Sequence, residues 1–278
     1  MITSLKGFIE VVQSIDEDNV SFFYRGQCNE YVPLPSVFRD GLIKKEDYLY
    51  HELILRCSDV FAGVKHLDTL VMMQHYGLPT RLLDVTTNPL VALYFACRDY
   101  SRNREGESGY IYIYGVHEES ITYSDSDRVL MLSCLPVFSY ADKVKMRNII
   151  IHVLNDRVIE KNKDNTYPAA IERLYHEIAK EVPAFKRNIK PIDLIKPLVV
   201  KPTRTNARIL KQDGAFIISG LYTDKQEAEE RISQMCSEKL EIGNRKNILK
   251  ELDSFGINEA SLFPEVDKVA SYLVEKCK

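Results

Sequence analysis

Apolar residues open the chain at helical spacing: Leu5, Phe8, Ile9 and Val12 mark one face of a helix predicted over Ser4–Ser14. The pattern then shortens to a strand run, Val20–Tyr24, which is expected to deliver Arg25 and Gly26 at its end. Glu46–Phe61 reads as a second helix. Leu67, Leu70, Val71 and Gln74 give one face of a third, which Gly77 ends in a left-handed cap. Thr80–Val85 suits a strand. Asn88 then offers an N-cap with Pro89 at the first helical position, and the helix so started, Pro89–Cys97, is apolar on every side and should be buried all round.

Gly109–Gly115 carries β-formers between two glycines and reads as a sheet strand. Pro136–Leu154 and Ala169–Phe185 look helical, and strand signals return at Leu198–Lys201, Arg208–Lys211 and Ala215–Ser219. Thr223 with Gln226 forms a capping box for a helix to Cys236, and Asn247–Phe255 and Pro264–Lys276 close the chain as amphipathic helices. With no internal repeat, low-complexity tract or long linker, the pattern predicts one α+β domain: a small mixed or antiparallel sheet flanked by helices.

Composition adds boundaries to this picture. The 278 residues suffice for one sizeable core, and 45% hydrophobic with 28% charged residues is an ordinary globular balance. A formal charge of -3 offers no global attraction for a polyanion, so nucleic acid is not indicated as a partner. Met1 to Asp16 lacks the basic start and apolar stretch of a signal peptide, which leads us to expect a cytoplasmic protein with no membrane partner. Six scattered cysteines without a Cys-x-x-Cys pair are read as buried thiols, and no metal is expected.

Candidate chemistry gathers at two places. Arg25 and Arg81 each adjoin an apolar strand-like segment, and a guanidinium taken out of water must find a carboxylate, a phosphate or carbonyls. Asp84 is the nearest partner for Arg81, as a structural ion pair or as a wall of a site. Gly26 next to Arg25 is either a plain turn or a place where a ligand approaches the backbone. Gln74 and His75 end their helix near the same edge, where His75 is a helix cap or an acid–base group. Thr86, Thr87 and Asn88 are an ordinary N-cap or the lining of an anion site, and Gln212-Asp213-Gly214 is a tight turn or a polar pair at a strand start. No Walker A, Gly-x-Gly-x-x-Gly, Gly-x-Ser-x-Gly or His-Glu-x-x-His pattern occurs.

Taken together, Tyr24-Arg25-Gly26-Gln27, Leu34-Pro35-Ser36-Val37-Phe38-Arg39 and the block from Gln74 to Ala96 resemble the FRG domain family, named for a Phe/Tyr-Arg-Gly motif. Gln212-Asp213-Gly214-Ala215-Phe216 and the stretch from Gly256 to Pro264 look like that family's later marks, so the resemblance implies an FRG domain over residues 1–278. It implies a bacterial or phage-related setting, with toxin or phage-defence roles. A more distant likeness is to ADP-ribosyltransferases, whose order of an Arg-Gly pair, a Ser/Thr-bearing strand and a late Glu or Gln is matched by Tyr24-Arg25-Gly26, Thr86-Thr87 and Gln212.

That likeness implies NAD as cofactor and a small-molecule nucleotide as partner, with ADP-ribosyl transfer or NAD hydrolysis as the chemistry. Arg25, His75 and Gln212 would be catalytic, and Tyr24, Gly26, Gln74, Arg81, Asp84, Thr86 and Thr87 would bind the cofactor. The alternative is a non-catalytic module that senses a nucleotide or holds a protein partner. The nucleotide reading requires Arg25 and Arg81 to meet in one solvent-reachable hollow.

Overall fold

A computed structural model describes residues 1–15, 17–98, 108–156, 168–187, 189–203 and 206–277. Seven strands among them form one sheet: β1 (Val20–Gln27), β2 (Leu82–Thr86), β3 (Gly109–His117), β4 (Thr122–Tyr123), β5 (Leu198–Lys201), β6 (Gly214–Ile218) and β7 (Glu238–Ile242). Their order is β4-β5-β6-β2-β1-β3-β7. Only the β4–β5 pair is parallel, so the sheet is mixed and the architecture is α+β, with helices packed on it.

Alternation along the strands decides which helices each face receives. Phe23, Leu83, Val85, Tyr114, Ala215 and Ile217 pack on one face with Ile232 of the helix Lys225–Met235. The other face sends Tyr24, Ile111 and Ile113 against the helix Pro89–Cys97, and Leu82, Phe216 and Ile218 into a larger core with the helices His66–His75, Asp127–Ser133 and Ala169–Glu181.

The seam between β1 and β2 is the weak point of the sheet. β1 pairs with β3 over eight residues from Val20 to Gln27, whereas Tyr24↔Thr86 is its one registered pair with β2. Beyond that pair the ladder gives way to a side chain: Arg25 Nη1 donates to the Asp84 carbonyl at 2.7 Å.

Several expected elements form as read. Asn88 Oδ1 accepts from Leu90 N–H at 3.0 Å, Pro89 occupies the first turn, and the helix they start buries six of its nine residues, with Pro89, Leu90 and Phe95 only partly covered. Gly77, at φ 85°, ends the helix His66–His75, and Leu78 N–H donates back to Met73 O at 2.9 Å. Others differ. β1 runs on to Gln27, which places Arg25 and Gly26 inside the strand rather than at its end.

Arg208–Lys211 is helical, not extended: Asn206 Oδ1 accepts from Arg208 N–H at 2.8 Å and caps a helix Ala207–Lys211. Asp224, not Thr223, caps the next helix by accepting from Glu227 N–H. Glu46–Phe61 breaks at Cys57 into Glu46–Arg56 and Ser58–Phe61. No helix among the described residues is long and apolar enough to cross a membrane.

Candidate functional site

The three adjacent strands β6, β2 and β1 form the floor of a cleft of about 240 Å³. The helices His66–His75, Pro89–Cys97 and Ala207–Lys211 wall it, because each follows or precedes a floor strand by a short connection. Tyr24, Arg25, Gly26, Gln74, His75, Asp84, Thr86 and Gln212 all line this hollow. Residues far apart in sequence are thus brought to one place.

Arg25 sits at the split between β1 and β2 with its side chain 16% exposed. One nitrogen is engaged by the Asp84 carbonyl and lies 4.0 Å from the Asp84 carboxylate, while its buried Nε has no hydrogen-bond partner. A buried donor without an acceptor costs about 1–3 kcal/mol. This guanidinium therefore both stitches the split and keeps a donor in reserve.

Asp84 is held by a directed chain. Leu82 N–H donates to Thr80 Oγ1 at 3.2 Å, Thr80 Oγ1 donates to Gln74 Oε1, and Gln74 Nε2 donates to Asp84 Oδ1 at 2.7 Å. A carboxylate only accepts, so this chain fixes the orientation of the Gln74 amide. The Asp84 side chain is 66% exposed, and its charge faces solvent at the cleft. His75 is exposed on the last turn of its helix, edge-on to Tyr76 at 5.2 Å.

Two residues expected at the site lie elsewhere. Arg81 is fully buried and does not line the cleft. Its Nε and Nη2 take Glu46 in a fork at 2.9 and 2.5 Å, its Nη1 donates to Gly220 O at 3.2 Å, and Lys143 Nζ completes the cluster at 2.7 Å from Glu46. The pairing with Asp84 is thereby corrected, and so is the expectation that Arg25 and Arg81 share a hollow. Thr87 belongs to a separate recess beside Ser21, Lys201 and Asp213, with its hydroxyl donating to Asp213 O at 3.4 Å.

Three others line the cleft but have structural partners. An added Cβ at Gly26 would stand 1.8 Å from Ala92 O, so the helix Pro89–Cys97, not a ligand, fills the space that the missing side chain leaves. Thr86 Oγ1 donates to Gln212 O at 2.6 Å and accepts from Asn88 N–H at 3.0 Å. Gln212 Nε2 donates to Leu262 O at 3.1 Å, tying the cleft to the C-terminal region.

Phe95 and Arg208 are among the wall residues that sequence reasoning missed. Phe95 looked like core in a wholly apolar helix, and Arg208 was hidden in a segment read as a strand. The Asn206 cap was the signal that would have turned Arg208 toward the site. Among the described residues no cluster of His, Cys, Asp and Glu could hold a metal ion.

An α+β scaffold whose floor strand presents a Tyr-Arg-Gly segment to a cleft is thus defined by geometry. The pattern of the FRG domain matches residues 20–105, which contain β1, β2 and the helix between Asn88 and Arg98. The chain carries an FRG domain. No curated protein and no solved structure matches it.

Proposed function

We propose that the cleft binds a nucleotide of the NAD type and that the bound molecule is cleaved at its nicotinamide–ribose bond. The observation that carries this reading is the Arg25 guanidinium at the cleft floor, largely buried, with an uncommitted Nε donor. A phosphate oxygen that meets the exposed part of this guanidinium gains a charge-assisted hydrogen bond, roughly twice as strong as a neutral one. Asp84 supplies the opposite charge in the same hollow, matched to the cationic nicotinamide ring and to the oxocarbenium that forms as the ring leaves.

In the reaction, the bond from ribose C1′ to the nicotinamide nitrogen breaks with its electron pair leaving on the ring. An oxygen of water or of an acceptor forms the new bond at C1′. Gln74 positions Asp84, and His75 at the rim takes the proton of the incoming oxygen. At about 240 Å³ the cleft lies just below the usual range of ligand cavities, about 300–1,000 Å³, and so encloses part of a dinucleotide and leaves the rest outside. A toxin or phage-defence role extends this reading and rests on the family resemblance.

Calorimetric titration with NAD, paired with an assay of released nicotinamide, tests it. Arg25→Ala should weaken binding about 10- to 100-fold, with melting followed in parallel because Arg25 also bridges the strands. Undiminished NAD affinity in a folded Arg25→Ala variant rules the reading out. Asp84→Asn should bind NAD and release no nicotinamide.

One observation favours binding without turnover: the Thr86 hydroxyl and the Gln212 amide, two of the polar groups available for chemistry, are already bonded within the fold. Heat of binding without nicotinamide release from the unaltered protein would establish that sensor.

A further inference from the structure

Arg208 enters the cleft from the helix Ala207–Lys211, an element separate from the floor strand that carries Arg25. Its guanidinium carbon lies 4.9 Å from the centre of the Phe263 ring. Phe263 is itself 4% exposed and meets Phe95 edge-on at 5.9 Å, so the surface on which Arg208 rests is fixed by the core. Stacking engages the flat face of a guanidinium and leaves its in-plane N–H donors available.

Other arginines of the chain spend those donors on carboxylates. Arg81 forks onto Glu46 and Arg147 forks onto Glu227, each through two nitrogens. Arg208 has no carboxylate partner among the described residues. The cleft thus holds two guanidiniums and the single carboxylate of Asp84, which already neighbours Arg25. A local excess of positive charge in a chain of net charge -3 is a feature for which the fold itself has no use.

We infer that Arg208 is a second anion-binding residue and that the ligand is a nucleoside diphosphate or dinucleotide, whose pyrophosphate is held jointly by Arg25 and Arg208. The inference rests on the nucleotide reading above and narrows it to ligands with two linked phosphates. One guanidinium can fork onto one phosphate. Two guanidiniums on different elements match a pyrophosphate and are only half used by a monophosphate. Because Arg208 is ordered on Phe263 before any ligand arrives, little rotamer freedom is lost on binding.

The test is calorimetric titration of the full chain with ADP-ribose, AMP and inorganic pyrophosphate, for the unaltered protein, Arg208→Ala and Arg208→Lys. The unaltered protein should bind ADP-ribose at least about tenfold more tightly than AMP. Arg208→Ala should weaken ADP-ribose about 10- to 100-fold and AMP less than about threefold, which collapses the preference; Arg208→Lys should restore part of it, as a charge without the fork. Melting curves confirm that both variants fold.

An unchanged preference for ADP-ribose in folded Arg208→Ala and Arg208→Lys overturns the inference and leaves the nucleotide reading standing. Pyrophosphate binding that depends on Arg208, with no binding of either nucleotide, overturns the nucleotide reading and with it the nucleotide ligand inferred here, leaving Arg208 as a site for an inorganic anion only. Absence of binding by all three probes removes both.

Discussion

Arg81 cannot lose its charge, so its complete burial makes the partner cluster a matter of stability. Burial by itself would raise the Glu46 carboxyl, but Arg81 and then Lys143 outweigh it and hold Glu46 below its ordinary value of 4.5. Lys143 is pushed down by the same burial, against the attraction of Glu46. Removing Glu46 leaves two buried cations facing each other, and breaking such a cluster costs about 3–5 kcal/mol.

Glu46→Gln should therefore lower the unfolding free energy by about that amount in urea titration. The pH dependence has a definite sign. As acid is added the unfolded chain takes up the Glu46 proton first, so the contribution is fully present above the ordinary value of 4.5 and is lost as pH falls through the lower folded value. The variant should show a shallower loss of stability with acid from about pH 4.5 downward than the unaltered protein.

That Arg81 needs an anion was legible in the sequence; which anion was not. Asp84 is three residues on, and in extended chain an odd spacing puts two side chains on opposite faces. Glu46 stands at the start of a helix, a position at which a carboxylate normally faces water, and only the tertiary fold brings it 35 residues back to Arg81.

At the scale of elements, the helix Pro89–Cys97 is the piece around which the site is assembled. Its backbone lies so close to β1 and β3 that both strands carry glycine at the contact: an added Cβ would stand 1.8 Å from Ala92 O at Gly26 and 2.1 Å from Ala96 O at Gly109. The obstacle is backbone, which cannot rotate aside. Gly26→Ala should push the helix outward and destabilise the protein by about 3 kcal/mol, at the upper end of overpacking costs, read as a lower urea midpoint. A midpoint equal to that of the unaltered protein would show that the contact is looser than the structure has it.

This helix was legible because local and global signals agree in it: an Asn cap, a Pro in the first turn and an all-apolar body. Ala207–Lys211 was not, because a five-residue helix offers too few residues to show a period, and the adjacent apolar pair in Arg-Ile-Leu-Lys fits a short strand run as well as a helical turn. β7 was passed over for a related reason. Only Leu240 and Ile242 of Glu-Lys-Leu-Glu-Ile are buried, and the charges between them disguise a half-exposed edge strand.

For the whole molecule, the question is how much chain the FRG segment needs in order to fold. Residues 20–105 contain β1 and β2, but these two neighbours share only the register pair Tyr24↔Thr86. Each draws its ladder from outside that span: β1 pairs with β3 from Val20↔His117 to Gln27↔Tyr110, and β2 pairs with β6 from Leu82↔Ile218 to Thr86↔Gly214. Lys143 and the Gly220 carbonyl, which complete the surroundings of Arg81 and Glu46, are also outside it, as are Arg208 and Gln212 at the cleft.

A fragment of residues 1–108 would thus keep a buried charge cluster without its third member and two strands with almost no hydrogen-bonded partner. Unpaired strand edges and exposed core faces do not support a cooperative unit. The fragment should show neither a sigmoidal urea transition nor near-ultraviolet dichroism, while residues 1–278 unfold with a sharp transition. A cooperative transition in the fragment would mean that β1 and β2 find a pairing in isolation that the full chain does not use, and that the later strands only decorate a core already formed.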